Sequence, residues 1–183
     1  MLEVGNGMTE NEDRAHFTMW CMMASPLILG NDLRNMSDAT RNIIMNKDMI
    51  AIDQDTLGIQ GLHYCDRDGL QFWFKPLAGG DWAFTILNPT RQDISCCLNW
   101  QDFNPLPPFF REDTYLAREV YLLRNISSTA LGSWQFLLRS YHVAEHTGQG
   151  NDDAQASHDE VFGLCAIEIR GADQDHNDEG NHQ

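Results

Sequence analysis

The chain has 183 residues, which is enough for one domain or for one domain and part of a second. Hydrophobic residues make up 42% of the sequence, a fraction typical of chains that build a packed core. The formal net charge of −15 argues against a protein that binds nucleic acid or an anionic membrane surface, because both need clustered lysine and arginine. No apolar run approaches the roughly 20 residues that cross a bilayer.

Residues 1–4 form a short apolar segment, predicted to be a strand, that ends at a Gly-Asn-Gly turn. Thr9 and Glu12 have the spacing of a capping box, which predicts the start of a helix. An apolar stripe then repeats with helical spacing at Phe17, Trp20, Cys21 and Ala24. Pro26 ends this helix.

A second strand and a second helix follow in the same order. Residues 27–29 are a continuous apolar run, typical of a strand buried on both faces, and Ser37 is placed to cap a helix that runs to about residue 48. Repeated strand–helix units indicate a parallel sheet covered by helices. Two strands cannot form such a sheet alone, so we expect residues 1–58 to be the end of a larger β/α structure.

The pattern changes to that of an antiparallel β domain at residues 58–61. Short β-rich segments separated by turn signals lie at residues 62–65, 70–75, 82–87 and 94–100. Farther along, the pattern predicts a strand at residues 120–123, a helix across residues 131–143 and a last strand at residues 161–169. The β domain is therefore assigned to residues 59–170.

The final segment is strongly acidic. Residues 151–183 carry nine acidic residues and one basic residue, Arg170. Residues 171–183 contain no aliphatic side chain larger than alanine, so burial cannot offset the entropy that would be lost on ordering. We expect residues 171–183 to form a disordered tail.

Two pairs of carboxylates were tested against the needs of glycoside hydrolysis, which uses two acids that flank one bond. Asp53 and Asp55 follow a helix and precede a glycine turn, whereas Asp66 and Asp68 lie in a hairpin turn. Capping and turn-forming hydrogen bonds explain both pairs better than catalysis does. No catalytic dyad is assigned to this chain.

No metal or cofactor site is predicted. His142 and His146 would share one helix face, but the sequence places no third ligand beside them. The five cysteines are odd in number and include no Cys-x-x-Cys pair, which favours neither a zinc site nor a disulfide framework. The common nucleotide-binding and dinucleotide-binding motifs do not occur in the sequence.

Two polar residues follow the second strand directly. In β/α barrels the active site lies at the carboxyl ends of the strands, and here those ends lead into Gly5 and into Asn31 and Asp32. Asn31 and Asp32 are therefore candidates for the surroundings of an active site. Capping of the next helix explains these two residues at least as well.

Several segments occur in an order that is characteristic of one enzyme family. They are MLEVGNG at 1–7, HFTMW at 16–20, SPLILGNDLRNMS at 25–37, NKD at 46–48, IAIDQD at 50–55 and LG at 57–58. These segments resemble α-galactosidases of glycoside hydrolase family 27. Two further segments, FWFKPL at 72–77 and GDWA at 80–83, look like the start of that family's C-terminal antiparallel β domain. The resemblance implies the last β/α units of a (β/α)8 barrel followed by a β-sandwich domain.

The resemblance also implies an enzyme that releases terminal α-linked galactose with retention of configuration. One aspartate is the nucleophile and another acts as acid and then as base, and the match places both before Met1. Met1 itself matches a methionine that lines the galactose pocket of the family. We therefore expect Met1 to contact an α-galactoside substrate, and we expect the chain to hold neither catalytic aspartate and to be inactive by itself. The resemblance implies no cofactor.

Two alternatives stay open. The β domain would serve as a non-catalytic carbohydrate-binding or interaction module if Trp73, Trp82 and Trp100 stack on sugars, although core packing explains most of these residues. The chain would have the specificity of an α-N-acetylgalactosaminidase if the specificity loop, which also precedes Met1, favoured that sugar.

The sequence gives conflicting signals on location. The resemblance suggests a secreted or lysosomal protein, and the glycosylation sequons at Asn35 and Asn125 suit a secretory pathway. Residues 1–7 do not have the pattern of a signal peptide.

A barrel end of two strands should leave apolar side chains uncovered, and the sequence predicts exposure of Phe17, Trp20, Leu27 and Leu29. We expect the purified chain to self-associate through this surface and to bind a hydrophobic dye. Sedimentation velocity and dye fluorescence measure the two effects. A monomeric chain that melts cooperatively and binds no dye contradicts this expectation.

Overall fold

The structure is a computed structural model that describes residues 1–99, 115–121, 124–126, 133–138 and 164–171. Within these ranges, three α-helices precede a set of antiparallel strands. The helices are α1 (Glu10–Met22), α2 (Asp38–Ile44) and α3 (Lys47–Asp53). The strands are β1 (Leu62–Arg67), β2 (Leu70–Pro76), β3 (Trp82–Leu87), β4 (Ile94–Asn99), β5 (Tyr115–Glu119), β6 (Arg124–Ile126), β7 (Ser133–Leu138) and β8 (Leu164–Gly171).

Side-chain caps fix where the first two helices begin. Thr9 Oγ1 accepts a hydrogen bond from the Glu12 amide at 3.3 Å, and the Glu12 carboxylate accepts one from the Thr9 amide at 2.8 Å. The predicted capping box is therefore confirmed. Ser37 Oγ accepts a hydrogen bond from the Thr40 amide at 3.0 Å and begins α2 as predicted.

The second helix is shorter than predicted. α2 ends at Ile44, and Asn46 Oδ1 begins α3 by accepting hydrogen bonds from the amides of Asp48 and Met49 at 3.1 and 3.0 Å. The prediction of one helix to about residue 48 is wrong, because an asparagine side chain competes for backbone groups inside a helix and is favoured at a helix start.

The two predicted strands of the β/α segment meet at a single parallel bridge between Leu2 and Leu29. The Leu2 amide donates to the Ile28 carbonyl at 2.8 Å, and the Gly30 amide donates to the Leu2 carbonyl at 3.0 Å. The bridge gives these two segments the parallel direction that the strand–helix pattern predicts.

The antiparallel strands form two sheets. One has six strands in the order β1-β2-β3-β8-β5-β6, and the other pairs β4 with β7. The four segments predicted as strands between residues 62 and 100 are strands in the structure, and the last strand predicted at residues 161–169 corresponds to β8. Because β8 pairs with both β3 and β5, the C-terminal end of the described chain lies in the middle of the larger sheet.

Two predictions for the later part of the chain are wrong. The predicted helix across residues 131–143 contains β7, which pairs in register with β4 so that Trp134, Phe136 and Leu138 lie opposite Leu98, Cys96 and Ile94. Pairing of alternate apolar positions outweighs local helical preference there. The strand predicted at residues 120–123 is also misplaced, because β5 ends at Glu119 and the next two residues form a turn.

Some predictions fall outside the described residues. They include the remainder of the acidic tail at residues 172–183, the pair His142 and His146, and Trp100. Gly171, assigned to the tail by composition, is the last residue of β8.

The larger sheet is buried on both faces near β2 and β3. Phe72 and Phe74 pack against Phe84, with ring centroids 6.2 and 4.6 Å apart. On the other face, Trp73 and Ala83 pack with the apolar cluster formed by the helices and by the bridged segments. The alternation of side chains along β2 therefore separates two cores: one within the β domain and one beneath the helices.

Lys75 lies on the helix-facing side of β2 and is 1% exposed. Its ammonium group donates hydrogen bonds to the Cys21 carbonyl at 3.1 Å and to the Ile52 carbonyl at 2.5 Å, near the C-terminal ends of α1 and α3. Carbonyls in the last helical turn lack helical partners and carry partial negative charge, so a cation is stabilised there. Burial lowers the pKa of Lys75, and the carboxylates of Asp53 and Asp55 oppose that shift.

The linker between α3 and β1 is tied to both parts. The Gly61 amide donates to the Met22 carbonyl at 2.6 Å. The Asp55 carboxylate accepts hydrogen bonds from the amides of Leu57 and Ala78, each at 3.0 Å. These contacts hold the end of α1, the linker and the β2–β3 turn together, whereas the division of the chain into domains at residues 1–58 and 59–170 stays a prediction.

The predicted apolar patch is smaller than expected. Phe17 is 1% exposed because it packs in the core beneath the helices, so its predicted exposure is wrong. Trp20 and Leu27 are half-buried, and Leu29 is 36% exposed. Self-association through the remaining exposed surface stays a prediction.

Replacing Lys75 with methionine should destabilise the chain by about 3 kcal/mol, because two buried carbonyls lose their hydrogen-bond donor. Urea unfolding followed by fluorescence measures the free energy of unfolding. The matched control is Lys47→Met, at an exposed position in the first turn of α3, which should change that free energy by less than about 0.5 kcal/mol. Equal effects of the two substitutions would show that Lys75 does not join the parts.

Candidate functional site

The parallel bridge brings the carboxyl ends of two segments to one edge. Residues before and after the bridge alternate between two sides: Leu2 and Val4 are 0% and 1% exposed and pack beneath the helices. Met1, 70% exposed, and Glu3, also exposed, belong to the opposite side. In a β/α barrel this opposite side faces the interior, and the carboxyl ends of the strands surround the active site.

Gly30 lies close to Met1, Leu2 and Glu3 across the bridge. A Cβ atom at position 30 would lie 2.9 Å from the Leu2 carbonyl oxygen and 3.6 Å from both Glu3 Oε1 and Met1 Cβ. A side chain would therefore clash with the bridge itself. Glycine at position 30 lets the two segments approach closely enough to form the bridge.

Three hydrogen bonds position Glu3. Its amide donates to His16 Nε2 at 3.3 Å, and its carbonyl accepts from the Asn6 amide at 3.0 Å. The Asn6 side-chain amide also donates to Glu3 Oε2 at 2.9 Å. The turn after the bridge therefore fixes both the backbone and one carboxylate oxygen of Glu3.

The same turn is anchored to α1 and α2. The Gly5 amide donates to Asp13 Oδ1 at 2.9 Å. Gly5 has φ +82°, and a Cβ there would lie 2.7 Å from the Thr40 methyl group, so both conformation and space require glycine. Burial raises the pKa of Asp13, and the hydrogen bond from Gly5 opposes that shift.

The two sequence-predicted candidates lie in different environments. Asp32 accepts a hydrogen bond from the Arg34 amide at 3.0 Å, and its carboxylate pairs with the Arg34 guanidinium through two contacts of 2.9 Å. The pairing with Arg34 lowers the pKa of Asp32. Both oxygens of Asp32 thus cap and close the loop. Asn31 is half-buried, and its Oδ1 has no hydrogen-bond partner in the described part of the chain. A role of either residue near an active site stays a prediction.

The carboxylate pairs have the structural roles that the sequence favours. Asp55 fixes the linker, and buried Asp53 accepts a hydrogen bond from the Gln54 side chain. Asp66 contacts His63 at 2.8 Å, and Asp68 adopts φ +53° in the β1–β2 turn. The described geometry assigns none of these four residues to a catalytic dyad.

Two expected surface aromatics are not exposed. Trp82 is 7% exposed, and Trp73 is half-buried, with its ring 5.0 Å from that of His63 and its edge against the core beneath the helices. Trp82 therefore packs in the core, as the sequence favours. Sugar binding by a carbohydrate-binding module stays a prediction.

The described residues offer neither a metal-ligand cluster nor a membrane-spanning helix. No group of three or more histidine, cysteine or acidic side chains is arranged to hold a metal ion. Cys21 and Cys65 are free thiols. In the same ranges, no helix has the length and apolar character of a membrane span.

Family comparisons agree with this geometry. Residues 1–55 match the family model described as alpha galactosidase A, and residues 67–147 match that of the alpha galactosidase C-terminal beta sandwich domain. The chain belongs to the α-galactosidase family. The bridged segments and α1–α3 are the last β/α units of the (β/α)8 barrel, and the antiparallel strands form the C-terminal β-sandwich.

Individual α-galactosidases show how much of the family's length is present. α-Galactosidase A of Cellvibrio japonicus is 44% identical over 138 residues, which are 75% of this chain and 34% of the relative. The enzyme of Oryza sativa subsp. japonica is 40% identical over 103 residues, or 56% and 25% of the two chains. The fold is shared with α-galactosidase I from Mortierella vinacea, with a TM-score of 0.73 at 24% identity over 93% of this chain and 38% of that one. The chain thus spans between 25% and 38% of the length of these relatives.

Two positions escaped the sequence analysis. Lys75 alternates with apolar residues along β2, so periodicity alone predicts that it is exposed, whereas it is buried. The available signal for burial was its place between two apolar residues, in the run Phe-Lys-Pro. Glu3 lies in the segment MLEVGNG at residues 1–7. Its alternation with the apolar Leu2 and Val4 was the signal that it faces away from the helix core.

Acidification should weaken the turn that holds Glu3. His16 Nε2 accepts a hydrogen bond and must be unprotonated. Burial lowers the pKa of His16 below the ordinary histidine value of 6.5, with Asp13 and Glu3 opposing the shift. The unfolded chain therefore takes up this proton first, and the His16 contribution to stability falls as the pH drops below 6.5.

His16→Gln tests this effect, because glutamine can accept the same hydrogen bond without titrating. The free energy of unfolding should fall less between pH 7 and pH 5 in the variant than in the original chain, at an unchanged urea m-value. Parallel pH profiles of the two chains would exclude His16 as the titrating group.

Proposed function

We propose that this chain supplies the C-terminal part of a retaining α-galactosidase, which releases terminal α-linked galactose. In this proposal, Met1 contributes to the galactose pocket, and both catalytic aspartates belong to barrel strands that precede Met1. The chain by itself does not hydrolyse α-galactosides. The β-sandwich holds the last barrel units in place through Lys75 and the linker.

One observation carries the proposal. The segment that matches the α-galactosidase family model also forms the parallel bridge, and Met1 lies one residue before that bridge, exposed on the side opposite the helix core. In a β/α barrel that side faces the interior, and the active site lies where the strands lead at their carboxyl ends. Two carboxylates flanking the glycosidic bond supply the chemistry in a retaining mechanism.

A chimera tests the proposal directly. The part of the Cellvibrio japonicus enzyme that precedes the matched region is fused to residues 1–183 of this chain, in place of that enzyme's own C-terminal part. We expect the chimera to hydrolyse 4-nitrophenyl α-galactoside, whereas residues 1–183 alone and the truncated relative alone should not. Release of 4-nitrophenol measures activity, and a thermal melt monitors folding.

The controls separate the alternatives. Hydrolysis by residues 1–183 alone would contradict the proposed division of the catalytic residues. A chimera that does not melt cooperatively, or that melts cooperatively and cleaves no α-galactoside, would contradict the proposed function. Preference for 4-nitrophenyl N-acetyl-α-galactosaminide over the galactoside would assign the related specificity instead.

The same proposal includes a secreted or lysosomal location. Its support is the sequon at Asn35, which is exposed in the loop before α2 and is therefore accessible to glycosylation. A mass shift that is removed by an N-glycan-cleaving enzyme, after expression through a secretory pathway, would support it. Absence of that shift in the secreted chain would count against the use of this sequon.

A further inference from the structure

Glu3 presents an oriented carboxylate oxygen toward the open side of the bridge. Oε2 is held by the Asn6 side chain at 2.9 Å. Glu3 is exposed, and Oε1 lies 3.6 Å from the position that a Cβ on Gly30 would occupy. Within the described residues Oε1 accepts no hydrogen bond, so this oxygen is available to an external donor.

Hydrogen bonds hold the backbone around Glu3 more firmly than is usual for an exposed residue. The Glu3 amide donates to His16, and the Glu3 carbonyl accepts from the Asn6 amide. Two residues farther along, the Gly5 amide donates to Asp13. Gly5 and Gly30 both occupy positions where a Cβ would come within 3.0 Å of other atoms. A carboxylate on so constrained a turn is oriented before any ligand arrives, which lowers the entropy lost on binding.

Position along the chain indicates what Glu3 would contact. Met1 and Glu3 are on the same side, and two residues of extended chain separate them by about 6.6 Å. Glu3 is the nearer of the two to the loops that follow the strands. If Met1 contacts the terminal sugar at the closed end of a pocket, then Glu3, which lies closer to the pocket entrance, faces the group attached to that sugar.

We propose that Glu3 is a specificity residue that accepts a hydrogen bond from a hydroxyl of the leaving sugar, the unit to which galactose is attached. The inference rests on the proposed function. Carboxylate oxygens make strong, charge-assisted hydrogen bonds with hydroxyl donors. Glu3 takes no part in bond cleavage; it favours substrates whose leaving group is itself a sugar over those whose leaving group lacks hydroxyls.

The test compares two substrates in the chimera described above. One is the disaccharide galactosyl-α-1,6-glucose, and the other is 4-nitrophenyl α-galactoside, whose leaving group carries no hydroxyl donor before cleavage. Glu3→Gln should lower kcat/KM for the disaccharide about 10-fold and change that for the nitrophenyl substrate less than about 2-fold. The matched control is Glu10→Gln, an exposed residue of α1 that pairs with Arg14, which should change neither value.

A second variant keeps the test decisive if Glu3→Gln does not fold. Asn6→Ala leaves the carboxylate in place but frees Oε2, so it should lower kcat/KM for the disaccharide more than for the nitrophenyl substrate. Equal losses on both substrates, or no loss on either, would overturn the role of Glu3. Failure of the unsubstituted chimera to cleave either substrate would instead overturn the proposed function.

Discussion

A buried ammonium group joins the two parts of this chain. Lys75 projects from β2, next to the edge strand of the larger sheet, and binds carbonyls near the ends of two helices that are distant from it in sequence. Burying a charge is unfavourable unless hydrogen bonds and opposite charge compensate for the lost water. Here the two helix ends supply carbonyl oxygens and Asp53 supplies a carboxylate, itself with a pKa raised by burial. The packing of helices on sheet depends on this compensation.

The same contact reaches the candidate site. Cys21, whose carbonyl binds Lys75, belongs to the last turn of α1, and the chain then turns at Pro26 into the second bridged segment. The Trp20 indole donates to the Pro26 carbonyl at 3.3 Å and steadies that turn. Tyr121 binds Thr18 on the same helix at 2.6 Å. The β-sandwich therefore positions the helix that positions the bridge, which makes it part of the site's framework.

Local signals in the sequence were reliable where a few neighbouring residues decide the outcome. The capping box at Thr9 and Glu12 depends on residues three apart, and the β1–β2 turn depends on Asp68 and Gly69, both of which adopt positive φ. Such features were predicted correctly. The missed start of α3 at Asn46 and the helix predicted where β7 lies share one cause: neighbours in space, or a competing cap, outweighed the local periodicity.

The sequence by itself determined the helix starts, the hairpins, the β/α-then-β order and the family, because short-range spacing and ordered motifs encode them. Tertiary structure decided which polar groups have structural or recognition roles. Lys75 looks exposed by periodicity and is buried, whereas Asp32 looks like a site residue and closes a loop with Arg34. The Glu3 amide donates to His16, a residue 13 positions away in the sequence. Contacts between residues so far apart are fixed by packing, and no local pattern encodes them.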